Sequence, residues 1–581
     1  MRTVLREFYD ALTAQEERFI AHLAADNLGI ILRSAIGELD WYCYNFSKTA
    51  EPTSDQEELF YLMQQGVTRL IALALEARAS FDAPVVNFRR KKELTKFVTE
   101  IISAIGIIQH GRRVAQTVAL GIGRIERLRD NEFKIILPDK LVDEGSLETA
   151  VSKHYQSESR RMFSKIKDSK HWKELDVKVN AKLHELVHPF ATHYIGYGAD
   201  PLLDDYFFGL AYHEIELQDG FDTFHYATIF GGVRFQHYVL GVAFLMSLQF
   251  KHERFAEALV KKDSTILLQD ILTITSDTGG LVESIKEAIN SFGEVFDDFE
   301  KVDLKMAQTI FEVLSCGRRN TAVLSAPGSP LPLIVQSSDD GVIRCLAGAY
   351  TEPMRMLLES LRHQFPKDYA KNQQSREGAM QKAIKRALNA TFCHLEYREN
   401  IKIQSNAKTL TDLDLVVIEK NSGRIILCQL KHQELYGQNL HSKRIRAERL
   451  REEVAAWLNA LDKWGTTATK HSVKELLGLP AAFPDPTIYR LIITKHYAHP
   501  IREICATDDT TFSTWIQFYN GIELLKQRDA PKTLDELFRI LREEQSPSRI
   551  QDHLPEPCTT WSINELKFAT LQEGQHSSAK Q

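Results

Sequence analysis

The chain reads as a multidomain protein, with a mainly α-helical N-terminal region followed by a C-terminal α/β domain in which helices flank a mixed sheet. Three observations carry that expectation. Helical periodicity runs through stretches such as Glu57 to Phe81, Leu94 to Ile108 and Leu281 to Val313, with little two-residue alternation. Near Asn320 the composition changes, and Ala326-Pro327-Gly328-Ser329-Pro330-Leu331-Pro332 reads as a connector. Beyond residue 370, helix and strand patterns alternate. The 581 residues leave room for two to four domains. The division expected is 1–320 wholly helical, 321–370 a hairpin-and-helix connector, 371–572 the α/β domain, and 573–581 a small, polar, disordered tail.

Composition bounds the class. With 43% hydrophobic and 26% charged residues the chain is an ordinary soluble globular protein. Its longest apolar run, Tyr238 to Leu248, is too short to span a bilayer and reads as a core helix, so no membrane partner is expected. The start, Met1-Arg2-Thr3-Val4-Leu5-Arg6-Glu7, lacks a secretory pattern. Seven cysteines, odd in number and without a CxxC, indicate neither a zinc ribbon nor a disulfide framework, and a reducing cytoplasm is the simplest home. Charge is uneven. Residues 365–451 hold 17 Lys and Arg against 9 Asp and Glu, a local +8, in a chain whose total is −6. A basic island in an acidic protein suits a polyanion.

The C-terminal elements follow in order. Leu333-Ile334-Val335-Gln336, a turn at Asp339-Asp340-Gly341 and Val342 to Leu346 form a connector hairpin, and Glu352 to Gln364 a helix. Ser375 to Leu388 is an amphipathic helix with Met380, Ile384, Ala387 and Leu388 as its inner stripe. Glu377, three residues before Met380, starts that same buried face. His394 to Ile403 reads as a strand. Thr411 to Ile418, a turn at Lys420-Asn421-Ser422-Gly423, and Arg424 to Lys431 read as a hairpin apolar on both faces, which belongs inside a covered sheet. His441 to Arg451 opens a basic helix that continues through Val454, Trp457, Leu458 and Leu461. After a Pro480 to Pro486 loop, Ile488 to Thr494 forms a later strand, with Lys495 and His496 capping its end.

The hairpin carries polar residues inside apolar strands, an arrangement that costs free energy unless something uses them. With Asn421-Ser422 as a two-residue loop, Asp414 faces Gln429 and Asp412 faces Lys431. All four then project from one side, with Leu413, Leu415, Val417, Ile426, Cys428 and Leu430 on the other. A three-residue turn through Gly423 would shift the register by one and scatter the cluster.

These residues resemble the PD-(D/E)xK, or restriction-endonuclease-like, nucleases. Their pattern is an acid on one strand and (D/E)-x-K on the next, often with a glutamate on the preceding helix. Asp414 matches the first acid, with Asp412 as an alternative claimant. Lys431 matches the lysine and Glu377 the helix glutamate. Gln429 stands where most members carry an acid, a Gln-x-Lys variant similar to the Mrr-type restriction nucleases. The resemblance covers Asn372 to Lys495, about a fifth of the chain. It implies a deoxyribonuclease dependent on Mg²⁺ (or Mn²⁺), held by Asp414, Glu377 and the Gln429 side-chain oxygen with the Leu430 carbonyl. A neutral amide oxygen is a weaker ligand for a hard cation than a carboxylate. Lys431 would orient or deprotonate the water, or stabilise transition-state charge. Lys443, Arg444, Arg446 and Arg449 would meet the DNA backbone, with RNA also compatible. The family likeness further implies a homo-oligomer in which each copy cuts one strand. It also implies a bacterial restriction or anti-phage setting, with the helical half sensing a trigger or partner protein. The same fold could instead bind nucleic acid without cutting.

One motif competes. His184-Glu185-Leu186-Val187-His188 is a formal HExxH, which on one helix would make a zincin-like metallopeptidase with Glu214, Glu216, His193 or His213 as third ligand. Pro189 directly after it removes an amide and ends or kinks the helix. Histidines packed or capping at a helix end are the expected reading.

Overall fold

A computed structural model of the chain describes residues 2–23, 28–49, 52–77, 87–121, 123–137, 164, 167–191, 193–219, 224–405, 408–433, 440–495, 498–505, 507–528, 531–543 and 559–572. The expected tail at 573–581, and His496, lie outside them. The fold mixes helix with several sheets. No helix among the described residues is long and apolar enough to cross a membrane, and the described cysteines are all free thiols.

The N-terminal body begins with helices Arg2–Leu23, Leu28–Lys48, Ser54–Ala77 and Lys92–Ala119. Leu32, Ile36, Val67, Leu70, Ile102 and Ile105 are fully buried between them. The last two helices touch backbone to backbone: a Cβ on Gly66 would stand 1.9 Å from the Ile102 carbonyl oxygen, and one on Gly106 2.2 Å from that of Leu62. The second core surrounds helix Phe235–Lys262, whose centre is the long apolar run.

Two parts of this body depart from the sequence reading. Residues 1–320 are not wholly helical. Arg124–Arg129 and Glu132–Leu137 form a hairpin that pairs with the chain's last two strands, Leu566–Gln572 and Thr559–Ile563. Residues 559–572, expected within the α/β domain, instead pack with the N-terminal elements, where Trp561, Ile563, Leu566 and Phe568 bury their apolar face against Phe8, Leu12, Phe133 and Ile135. The 321–370 segment holds the expected hairpin, and a helix at Pro353–Gln364, but is more than a connector. Its strands Ile334–Gln336 and Gly341–Arg344 complete a sheet with Thr275–Asp277 and Ser315–Cys316, and Ile334, Val335, Val342 and Ile343 are buried there.

The C-terminal sheet has five strands in the order Leu395–Ser405, Lys408–Glu419, Arg424–Lys431, Thr487–Thr494 and Thr510–Thr514. The first two pairings are antiparallel and the last two parallel. Helices Arg376–Asn389, Trp515–Gln527 and Leu534–Glu543 cover one face, against Leu415, Val417, Ile426 and Cys428. Helix Leu440–Gly465 covers the other, against Val416, Ile418, Ile425 and Leu427. A sheet clothed on both sides explains a hairpin apolar on both faces.

The hairpin register matches the expected one, pairing Leu415 with Cys428 and Glu419 with Arg424. The loop differs. It has four residues, Lys420 to Gly423, closed by the Gly423 N–H on the Glu419 carbonyl at 3.3 Å and by the Ser422 hydroxyl on the Glu419 carboxylate. Gly423 has φ 72°, and a Cβ there would meet the Asp485 carbonyl oxygen at 2.7 Å. Gly423→Ala is therefore expected to destabilise the domain by about 1–2 kcal/mol or more, from left-handed strain plus the clash. Thermal and urea melts measure this, and an unchanged midpoint would remove Gly423 as the turn's determinant.

Candidate active site

The site arises where two paired strands separate. The ladder between Lys408–Glu419 and Arg424–Lys431 stops at Leu415–Cys428. Beyond it Gln429 and Lys431 pair only with Ile492 and Thr494, while Leu413 and Asp412 pair with Ile401 and Lys402. The Asp414 side chain fills the gap. Its Oδ2 accepts from the Leu430 backbone N–H and from Gln429 Nε2, both at 2.6 Å. The backbone also breaks on the other side. Asn400, between the pairs Glu399–Leu415 and Ile401–Leu413, has φ 53°, a conformation asparagine tolerates. The Asp414 carbonyl instead accepts from Gln381 Nε2 at 2.8 Å, and that amide also reaches Asn400 Oδ1 at 3.4 Å.

This irregularity corrects the expected alternation. Leu413 packs with Val416 and Ile418 beneath helix Leu440–Gly465, not with Leu415 on the opposite face. Glu377 also differs from expectation. Met380 and Ile384 are buried as foreseen, but Glu377 in the first turn of its helix is exposed at the rim of the site. The protein still crowds it. Partial desolvation raises its carboxyl above the ordinary range, with Lys431 opposing and Asp412 and Glu453 adding to the rise. Burial pushes Asp414 up to about 6; the Leu430 N–H and Lys431 oppose this, while Glu377 and Asp412 reinforce it. Asp412 itself is exposed. Asp414, Gln429, Lys431, Glu377 and Asp412 thus share one site.

Helix Leu440–Gly465 adds two residues that the motif reading did not name. Glu453 Oε2 pairs with Lys431 Nζ at 3.0 Å while its Oε1 takes Arg449 Nε at 2.7 Å. Trp457 Nε1 donates to the Asp412 carbonyl at 3.0 Å. The two lie four apart beside the buried stripe Leu450, Val454 and Leu461, which the helical period would have indicated. Gln381, four residues after Glu377, was missed in the same way.

The basic helix spends part of its charge within the protein. Arg444 donates to the Leu120 carbonyl at 2.8 Å and to Glu448 at 3.1 Å, and Arg449 holds Glu453. Arg446 is half-buried, and the Lys443 side chain lies outside the described residues.

The HExxH reading fails. The helix ends at Leu186 and Val187–Phe190 is a strand, so His184 and His188 do not share a helical face. Glu185 pairs with Lys182 at 3.0 Å, and His213 with Glu216 at 3.4 Å. Pro189 cannot donate a helical hydrogen bond, and the chain turns extended two residues before it.

No trio of His, Cys, Asp and Glu among the described residues gathers as a metal site. The hairpin site offers a different donor set. Gln429 Oε1 is buried with no hydrogen-bond partner among the described residues, beside the Asp414 carboxylate and near Glu377. Both hydrogen bonds to Asp414 fall on Oδ2. An amide oxygen and two carboxylates form an all-oxygen set that fits a hard divalent cation.

No family model matches the chain, and no curated protein or solved structure matches it.

The raised Asp414 carboxyl has a consequence for stability. An acid that binds its proton more tightly when folded makes stability fall as pH climbs from its ordinary value near 4 to about 6, with the loss complete above. In EDTA, Asp414→Asn is expected to exceed the native chain in stability at pH 8 by on the order of 2 kcal/mol, and to match it near pH 4. Urea melts at the two pH values test this; a difference independent of pH would rule the carboxyl out as its source.

Proposed function

We propose that this chain is a divalent-metal-dependent endonuclease that hydrolyses DNA phosphodiester bonds through Asp414, Gln429, Glu377 and Lys431. The observation that carries the reading is the Asp414 carboxylate wedged between separating strands, fixed by Gln429 and the Leu430 N–H, with Lys431 on the strand of Gln429 and Glu377 close enough to feel the lysine's charge. Asp414 Oδ1, Glu377 and Gln429 Oε1 are the oxygens that would hold the ion. A bound Mg²⁺ or Mn²⁺ supplies charge neutralisation at the phosphate and acidifies the attacking water.

The chain's own residues do the rest. The Leu430 N–H and the Gln429 amide hold the Asp414 carboxylate in one orientation, so no reorganisation is needed when substrate arrives. Lys431 brings a positive charge to the place where negative charge builds on the phosphate. The basic island of residues 365–451 draws in a polyanion, and Arg449, though paired with Glu453, keeps its side chain 77% exposed. The N-terminal body, in this reading, senses a trigger or partner, or pairs two copies, in bacterial restriction or anti-phage defence.

A second reading has its own support. Gln429 in place of an acid, and Lys431 held by Glu453, fit a site that binds nucleic acid without cutting it. One assay separates the two. Plasmid and linear DNA are incubated with Mg²⁺, Mn²⁺ or EDTA, beside Lys431→Ala and Asp414→Ala. The nuclease reading expects metal-dependent cleavage that falls by about 100-fold or more in each variant. Undiminished cutting in either would sink the site assignment. Gel-shift retention without cleavage by the native chain would favour the binding module.

A further inference from the structure

Lys431 stands among four acids. Glu377 and Asp414 both feel its charge, and Asp412 lies beside them. Its ammonium is nevertheless committed to the fourth, Glu453, at 3.0 Å. An ammonium on a four-carbon stem is mobile, so this choice needs a cause. Helix Leu440–Gly465 provides it. Leu450, Val454 and Trp457 are buried and fix the helix against the sheet, and Trp457 ties it to the Asp412 carbonyl. Arg449 holds Glu453 Oε1, which leaves Oε2 turned to the lysine. Burial of Glu453 is outweighed by Arg449 and Lys431, which keep its carboxyl below the ordinary range and so ionised at working pH.

An ammonium and a divalent cation compete for the same carboxylates. We propose that Glu453 is a positioning residue that parks the Lys431 ammonium away from Asp414 and Glu377, keeping those carboxylates open to a metal ion. The inference rests on the nuclease reading. Without Glu453, Lys431 falls onto the nearest remaining acids, Glu377, Asp412 and Asp414, and obstructs the ion. The residue thereby sets the readiness of the site while touching neither metal nor substrate.

The test is a double-mutant cycle on Mn²⁺ affinity, measured calorimetrically on the full chain without DNA. The variants are Glu453→Gln, Lys431→Met and the two together. Glu453→Gln is expected to weaken Mn²⁺ binding about tenfold, within the coupling range of contacting residues. In the Lys431→Met background the same change is expected to cost no more than about twofold, the residue of lost negative charge. Glu453→Asp, which keeps the charge one methylene short, falls between. Equal losses in both backgrounds overturn the proposal, since Glu453 would then act only as a charge or a packing element.

A second readout does not use affinity. Amine-reactive labelling of Lys431, followed by mass spectrometry, is expected to rise on Mn²⁺ addition in Glu453→Gln, as the ion displaces the lysine from the acids. It is expected to stay constant in the native chain. Constancy in both also overturns the proposal. Failure of the native chain to bind Mn²⁺ would overturn the nuclease reading itself, whereas binding without dependence on Lys431 overturns only this inference.

Discussion

The separation of two strands at Asp414 is the constraint on which the site depends. Parting a ladder leaves backbone groups without partners, and buried ones must find others. The Leu430 N–H finds the Asp414 carboxylate, and the Asp414 carbonyl finds Gln381. Replacing Asp414 with an apolar residue would therefore strand a backbone donor as well as remove a charge. Fold and site are one arrangement here. The carboxylate that a metal ion would use is also the group that lets the sheet open, and Gln381 on the covering helix holds the opening from the other side. The left-handed Asn400 is the backbone's share of the same break.

Electrostatics tighten this arrangement. Glu377, Asp412, Asp414 and Glu453 face Lys431 and Arg449, an excess of acid that the protein tolerates in two ways. At Asp414 and Glu377 burial and the neighbouring acids raise the carboxyls above their ordinary range, so the charged form is held at a cost. Glu453 is held below the ordinary range by two direct cationic partners, Arg449 and Lys431. The group that carries a cost is the one at the opening, and the group that is satisfied stands behind the lysine. In the metal-binding reading proposed above, stability forgone at Asp414 would be the cost of an open carboxylate, since one already neutralised by an internal partner would bind an ion poorly.

Much of this was legible in the chain, and the failures have physical causes. The hairpin register could be read because a period of two and a turn-prone Lys420 to Gly423 leave few pairings, even though the loop turned out to have four residues. Glu377, Asp414, Gln429 and Lys431 were brought together because strand alternation and helix periodicity place them. The flip of Leu413 was hidden, because it accompanies the break in the sheet at Asp414 and Asn400, which no local pattern announces. Pairing of Leu566–Gln572 with Glu132–Leu137 was hidden for another reason. It joins short strands from opposite ends of the chain, and only packing against Phe8 and Phe133 selects it. HExxH misled because a sequence spacing implies a shared helical face only while the helix lasts.

The sequence of helix Leu440–Gly465 suggests a charged surface for phosphate, yet its inner side also carries Glu453 and Trp457 to the hairpin site. Arg444 near its start caps the Leu120 carbonyl, at the end of helix Lys92–Ala119 in the N-terminal body. Glu453, nine residues on and about 13 Å along the axis at the usual helical rise, holds the lysine. One packed, rigid element therefore touches the helical body at one end and the site near its middle. Coupling between distant sites needs a physical element that both can bias, and spatial intermediacy alone is no proof of it. Its two contacts are both cation–oxygen pairs with opposite roles: the helix gives the cation, Arg444, to the Leu120 carbonyl and the oxygen, Glu453, to Lys431. Because Leu450, Val454 and Trp457 pack the helix against the sheet, Arg444 and Glu453 stand at a fixed separation along it, and the same packing that seats the helix places the carboxylate beside Lys431.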